Sequence, residues 1–139
     1  MVEGWSKDEH YILFDTKEAV VASTRYSIER WLPGFAVLGL KGWEDLLVRN
    51  IDGQVFSVPC VPLVPEHLVL SPGLPQAGTL AVDARYACQI KWYVKPLVFG
   101  GSPTEPSNIR WVSHEEHGQL VAWWNELYSQ LKAQSAIGA

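Results

Sequence analysis

His114-Glu115-Glu116-His117 is the densest run of metal-ligating and acid–base side chains in the chain. A zinc hydrolase helix sets two histidines four residues apart, with a glutamate beside the first, so that both imidazoles reach one ion. Here the separation is three, and spacing places no third ligand. Ser113, three positions before Glu116, instead forms a capping-box pattern, and acidic residues suit the positive end of a helix. The run is read as a helix start. Phe99-Gly100-Gly101-Ser102-Pro103 lacks the Gly-Lys-Ser/Thr that closes a phosphate cradle. It also lacks the second glycine of a nucleophile elbow, and Pro103 stands where a helix would begin. A structural loop is expected there. His10 and His67 have no acidic neighbour at triad-like spacing. Glu44 and Asp45 are adjacent, so on a strand they point to opposite faces and form no acid–base pair. No catalytic residue, no cofactor and no metal is assigned.

Recognition chemistry has better support. Trp31, Trp43, Glu44, Asp45 and Asp52 combine aromatic surface with carboxylates, and aromatic anchors carry much of the energy of protein interfaces while rim charges steer a partner. Trp31 falls on a helix stripe and is expected in the core. Trp43 lies in a Gly-bordered turn beside two carboxylates and is expected at the surface. The candidate partner-binding set is Trp43, Glu44, Asp45, Arg49 and Asp52.

The elements that position these residues begin with Tyr11–Phe14, a short apolar run expected as an edge strand. Asp15-Thr16 starts a helix running to about residue 32, with Val20, Val21, Thr24, Arg25, Ile28, Trp31 and Leu32 as its inward stripe. Pro33-Gly34 ends it, and Phe35–Leu38 is a buried strand. Strands 45–51 and 54–58 form a hairpin joined by Asp52-Gly53, the dipeptide of a two-residue type I′ turn. Both faces of this hairpin are mostly apolar, so the sheet is covered on both sides or continues into a partner. Pro59, Pro62 and Pro65 confine the following segment to an edge or an extended exit. Residues 70–78 read as a mobile loop, 79–84 and the stretch from 86 to Lys95 as strand-like, and 100–108 as a turn-rich loop. A last helix spans about 113–133, with Leu120, Trp124, Leu127 and Leu131 as its stripe, Val121 and Tyr128 widening it, and a frayed tail after Ala133. The whole predicts one α+β domain over 1–139: a central, mostly antiparallel sheet packed by helices near 16–32 and 113–133.

Composition excludes several classes. Of 139 residues, 47% are hydrophobic and seven are Trp, which points to a packed globule with aromatic surface to spare. The formal charge is −4. Ten acidic and six basic residues precede position 67, against five and five after it, so the excess acidity lies in the first half. Basic residues are scattered singly, which argues against nucleic acid or an anionic membrane as partner. Met1–His10 has no signal-peptide pattern, and Cys60 and Cys88 lack CxxC spacing. A cytoplasmic chain with reduced core thiols is expected.

Over residues 11–63 the order of elements resembles the SUKH superfamily, many of whose members are bacterial immunity proteins that bind and neutralise a toxin. The resemblance rests on the Tyr11–Phe14 strand, the helix to Leu32, Leu32-Pro33-Gly34, the strand Phe35–Gly39, the acidic strand Glu44–Ile51 and the Pro59–Leu63 exit. A second, looser similarity covers 99–128, where a Pro-rich loop with Asn108 precedes a helix carrying Trp124-Asn125. The resemblance implies an α+β fold, no cofactor and a toxin partner. Together with the acidity it leads to an immunity protein that occludes a cognate, basic toxin. The rival from another class is a self-associating structural or adaptor module, such as a homodimer. A small hydrolase using His114 or His117 with Ser102 ranks third.

Overall fold

The computed structural model describes residues 1–71 and 73–138, with side chains through residue 135; Pro72 of the loop expected at 70–78, and Ala139, lie outside them. The chain is α+β. A six-stranded antiparallel sheet runs in chain order: β1 Val2–Ser6, β2 Glu9–Leu13, β3 Ala36–Lys41, β4 Asp45–Arg49, β5 Val55–Pro59 and β6 Val69–Leu70. A second sheet pairs β7 Ile90–Tyr93 with β8 Ile109–Val112. Helices α1 Thr16–Arg25 and α2 Ile28–Trp31 link β2 to β3, and α3 His114–Gly138 ends the chain.

The register puts Ile12, Leu40, Leu46 and Val58 in one row across four strands, all fully buried. A bulge between Val37 and Gly39 keeps Val37 on this same face, opposite Val48. Against the row pack Ala22, Tyr26, Ile28 and Leu32 from α1–α2, Ile90, Trp92 and Val112 from the second sheet, and Val121 from α3. Leu47 points the other way, in register with Gly39 and Ser57, and is equally buried although it lies outside that cluster. The chain between Leu70 and Ala81 crosses the width of the sheet, about 24 Å for five strand spacings. Ala81 then pairs with Trp5 on the outer side of β1, and Leu80 is buried beside Gly4.

Several expectations change. Tyr11–Phe14 falls on β2, which is interior because β1 lies outside it; the β1–β2 turn at Lys7-Asp8 uses a positive φ at Lys7 and carries no Asn-Gly signal. The helix expected to run to residue 32 breaks at Ser27, which takes φ 53°. Its inward face is Ala22, Ser23 and Tyr26, whereas Val20 and Val21 are 66% and 57% exposed. Small residues face the sheet because α1 lies close to it: Ser23 Oγ accepts from Val37 N at 2.9 Å and donates to the Ala19 carbonyl at 2.7 Å. The β4–β5 turn is a three-residue loop, Ile51 to Gly53. Of the Asp-Gly pair only Gly53 has positive φ, Gly53 N donates to the Asn50 carbonyl, and Asn50 Oδ1 accepts from Asp52 N and Gln54 N. Residues 79–84 supply a 3₁₀ turn and one bridge rather than a strand. Strand β8 carries no alternation that marks it in the sequence. Cys60 is a buried free thiol as expected, but Cys88 is exposed.

The starts of α1 and α3 are capped, whereas Ser27 at the start of α2 makes no side-chain cap bond. Asp15 and Glu18 make a full capping box on α1. On α3, Ser113 Oγ accepts from Glu116 N, while the Glu116 carboxylate turns to Arg110 at 3.0 Å. The buried line of α3 is His117, Gly118, Val121 and Asn125; Leu131 is largely exposed, and the helix continues to Gly138 rather than fraying after 133. Gly118 permits the closest approach, since a β-carbon there would sit 2.2 Å from Arg25 Cγ and 3.1 Å from the Arg25 carbonyl oxygen. Asn125 ties the Cys60–Leu63 segment to α3. Its Oδ1 accepts from Leu63 N at 2.7 Å, and its Nδ2 donates to the carbonyls of Cys60 and Val121, both at 2.8 Å. Replacing Asn125 by Ala strands a buried N–H and a buried carbonyl, so urea unfolding should show a loss of about 2–4 kcal/mol. Asp15→Ala, on the exposed cap, should cost about 1 kcal/mol in the same measurement.

Candidate functional site

Between the end of the main sheet and the second sheet lies a pocket of about 330 Å³. One wall comes from the start of β4 and the end of β5, through Trp43, Glu44, Asp45, Pro59 and Cys60. The other comes from β7 and the turn after it, through Lys91, Trp92, Tyr93, Pro96, Leu97 and Val98. Val61, Pro62, His67 and His117 complete the lining, which is mostly apolar. The two walls are tied together at the rim. Tyr93 donates its hydroxyl to Glu44 Oε1 in a short bond, and Lys91 Nζ approaches Tyr93 Oη at 3.2 Å and Glu44 Oε1 at 3.8 Å. Burial, then the Glu44 bond, raises the Tyr93 phenol above its ordinary value.

Trp43, Glu44 and Asp45 are thus brought together, as the sequence suggests, but Arg49 and Asp52 are not. Arg49 lies four residues along β4, about 13 Å away, where it lines a different groove with Phe14, Ser27 and Phe35. Asp52 sits in the exposed β4–β5 turn. Trp43 also departs from expectation: it is half-buried. Its ring stacks on His10 at 4.4 Å and meets Trp5, Tyr86 and Trp111 edge-on. The turn that holds it needs positive φ at both Gly42 and Trp43, which swings the indole inward onto the β1–β2 hairpin. Trp31 is half-buried against the core, with the Arg30 guanidinium 4.5 Å from its ring centre. Asp45 faces Lys41 across the β3–β4 ladder. Burial, then the Glu44 and Glu9 charges, raises its carboxyl above the ordinary value, with Lys41 opposing.

The residues of the third reading are separated by their bonding. Ser102 Oγ accepts from the backbone N–H of Thr104 and Glu105 inside its own loop. His117 is buried in the core, its Nδ1 2.7 Å from the Tyr26 hydroxyl. His114 lies against Phe14 on the far side of α3's first turn, lining a groove with Arg25 and Glu18. Among the described residues no cluster of three or more His, Cys, Asp or Glu is placed to hold a metal ion. Lys91, Tyr93 and the floor residues Cys60 and Trp92 escape sequence reading, because residues 44 and 93 are joined only by folding. The closely spaced prolines around Cys60 are the one local signal.

Burial governs the titration of the floor. It pushes the Cys60 thiol well up, with Asp45 and Glu44 adding to the effect, and pushes the Tyr26 phenol well up. It also lowers His117 from 6.5 to about 3, with His114 and Arg25 contributing. His114 and His10 are lowered mainly by burial too. Each of these histidines binds its proton more readily in the unfolded chain, so stability is full above about pH 6.5 and falls as acid is added, for His117 down to about pH 3. For His117 the slope approaches ~1.4 kcal/mol per pH unit, the value for one proton. Unfolding free energies measured from pH 7 to 4 should show this decline. The double variant Tyr26→Phe/His117→Leu, which removes both bonding partners, should show a slope smaller by about one proton.

No family model, curated protein or solved structure matches this chain.

Proposed function

We propose that this protein is a cytoplasmic immunity protein of the SUKH kind, which neutralises a basic bacterial toxin by covering it and performs no reaction. The observation that carries the reading is that Trp43-Glu44-Asp45 folds onto the wall of an apolar pocket whose rim carries carboxylate charge. Glu44 is 47% exposed there, and Leu97 and Val98 extend the rim with exposed apolar surface. From Val98 the chain continues into Phe99, which packs on Trp124, and Trp124 meets Trp123 edge-on. An apolar and aromatic centre beside charged groups is the usual anatomy of a protein-binding surface. The α+β sheet packed by helices is the architecture that the resemblance implies, and the acidic first half of the chain matches a basic partner.

The test is co-expression with the product of the adjacent open reading frame, which this reading makes a secreted toxin. The wild type should co-purify with it and protect cells. Glu44→Lys/Asp45→Lys should slow association at least tenfold at low salt, whereas Asp52→Lys, at the far turn, should change it less than twofold. Equal effects at the two ends of the hairpin, or none at either, would reject this surface.

Self-association is the second reading, favoured by Trp123, which is 60% exposed on α3. Sedimentation of the wild type as a dimer that Trp123→Ser converts to a monomer, with no protection of cells, would select it.

A further inference from the structure

The pocket grades from wet to dry. Glu44, Leu97 and Val98 are exposed at its rim, Lys91 and Tyr93 are half-buried, and His117, Cys60 and Trp92 are 1%, 4% and 7% exposed at its floor. The floor's polar groups are neutral. Tyr26 O–H has no other acceptor among the described residues, so donation to His117 Nδ1 satisfies it and leaves the ring proton on Nε2. Cys60 keeps its thiol proton, with Sγ 4.0 Å from the Trp43 carbonyl oxygen. Neutral groups of this kind do not offset a buried charge, so an ammonium, guanidinium or carboxylate is a poor fit for the inner end of an occupant. They suit a neutral oxygen that accepts from Nε2–H. The Trp92 indole and the prolines Pro59, Pro62 and Pro96 line the space with apolar rings that an aromatic side chain packs against. At about 330 Å³ the space exceeds the ~150 Å³ of an apolar cavity that holds benzene.

We infer that the pocket receives a tyrosine side chain of the protein partner, its ring against Trp92 and the prolines and its phenol oxygen at His117 Nε2. Basic residues flanking that tyrosine would meet Glu44 and Asp45 at the rim. The inference rests on the partner-binding reading above and names the side chain that this surface grips.

The pocket can be tested without the partner, so its failure is separate from failure of toxin capture. The full-length protein is titrated with p-cresol, 4-methylanisole and toluene, following the tryptophan indole N–H signals by NMR. Expected are saturable, millimolar binding of p-cresol and 4-methylanisole, each at least about fivefold tighter than toluene, and shifts centred on Trp92. In Tyr26→Phe/His117→Leu the preference over toluene should vanish. Since the three probes are compared on the wild type, the result does not depend on that variant folding. Toluene binding as tightly as p-cresol, or no saturation, would overturn the inference. Micromolar binding of p-cresol itself would mark a site for a free phenol and overturn the assignment to a partner's side chain.

Discussion

Three successive residues of β4, Leu46, Leu47 and Val48, have no exposure to solvent. Neighbours on a strand face opposite ways, so this run obliges the sheet to be covered on both sides. On one side the cover is the large core built from α1–α2, α3 and the second sheet. On the other, Leu47 is shut from solvent in register with Gly39 and Ser57. Leaving either face wet would expose at least one large aliphatic side chain of β4, at roughly 1.5–3 kcal/mol each.

The pocket follows from this cover. The second sheet lies on the core face through Ile90, Trp92 and Val112, and its β7 passes beside the end of the main sheet, where Glu44 and Cys60 stand. The Glu44–Tyr93–Lys91 bridge spans the gap at the rim, and Asn125 fixes the Cys60–Leu63 segment at the back. These polar ties set the shape of a pocket whose walls are otherwise apolar. The histidine and thiol at its floor, and the Tyr26 phenol bonded to that histidine, are removed from water, and burial drives each toward its uncharged form.

Part of this was legible in the chain. Alternation in 45–51 predicts a strand apolar on both faces. The strand ends at Arg49, with Leu46 and Val48 buried on one face and Leu47 on the other, while Ile51 is exposed in the turn. Pro33-Gly34 ends the first helical region, and Ser113 starts the last helix. Where local signals misled, the cause is specific. Val20 and Val21 suggest an inward stripe, but close packing of α1 on β3 selects Ala22 and Ser23 instead, because only small side chains fit there. Trp43 looks like a turn-tip anchor, but its positive φ turns the ring onto His10.

By itself the sequence determined the α+β class, the strand and helix order through residues 35–58, the capped start of α3 and the acidic bias. Each depends on hydrophobic period, turn chemistry or charge within a few residues of chain. Only tertiary structure decided which members of the candidate set share a site. Trp43, Glu44 and Asp45 meet Tyr93 and His117, while Arg49 and Asp52, on the same hairpin, lie at its other end. The physical reason is that a pocket is a gap between packed layers, and its lining is chosen by how those layers dock rather than by spacing along the chain.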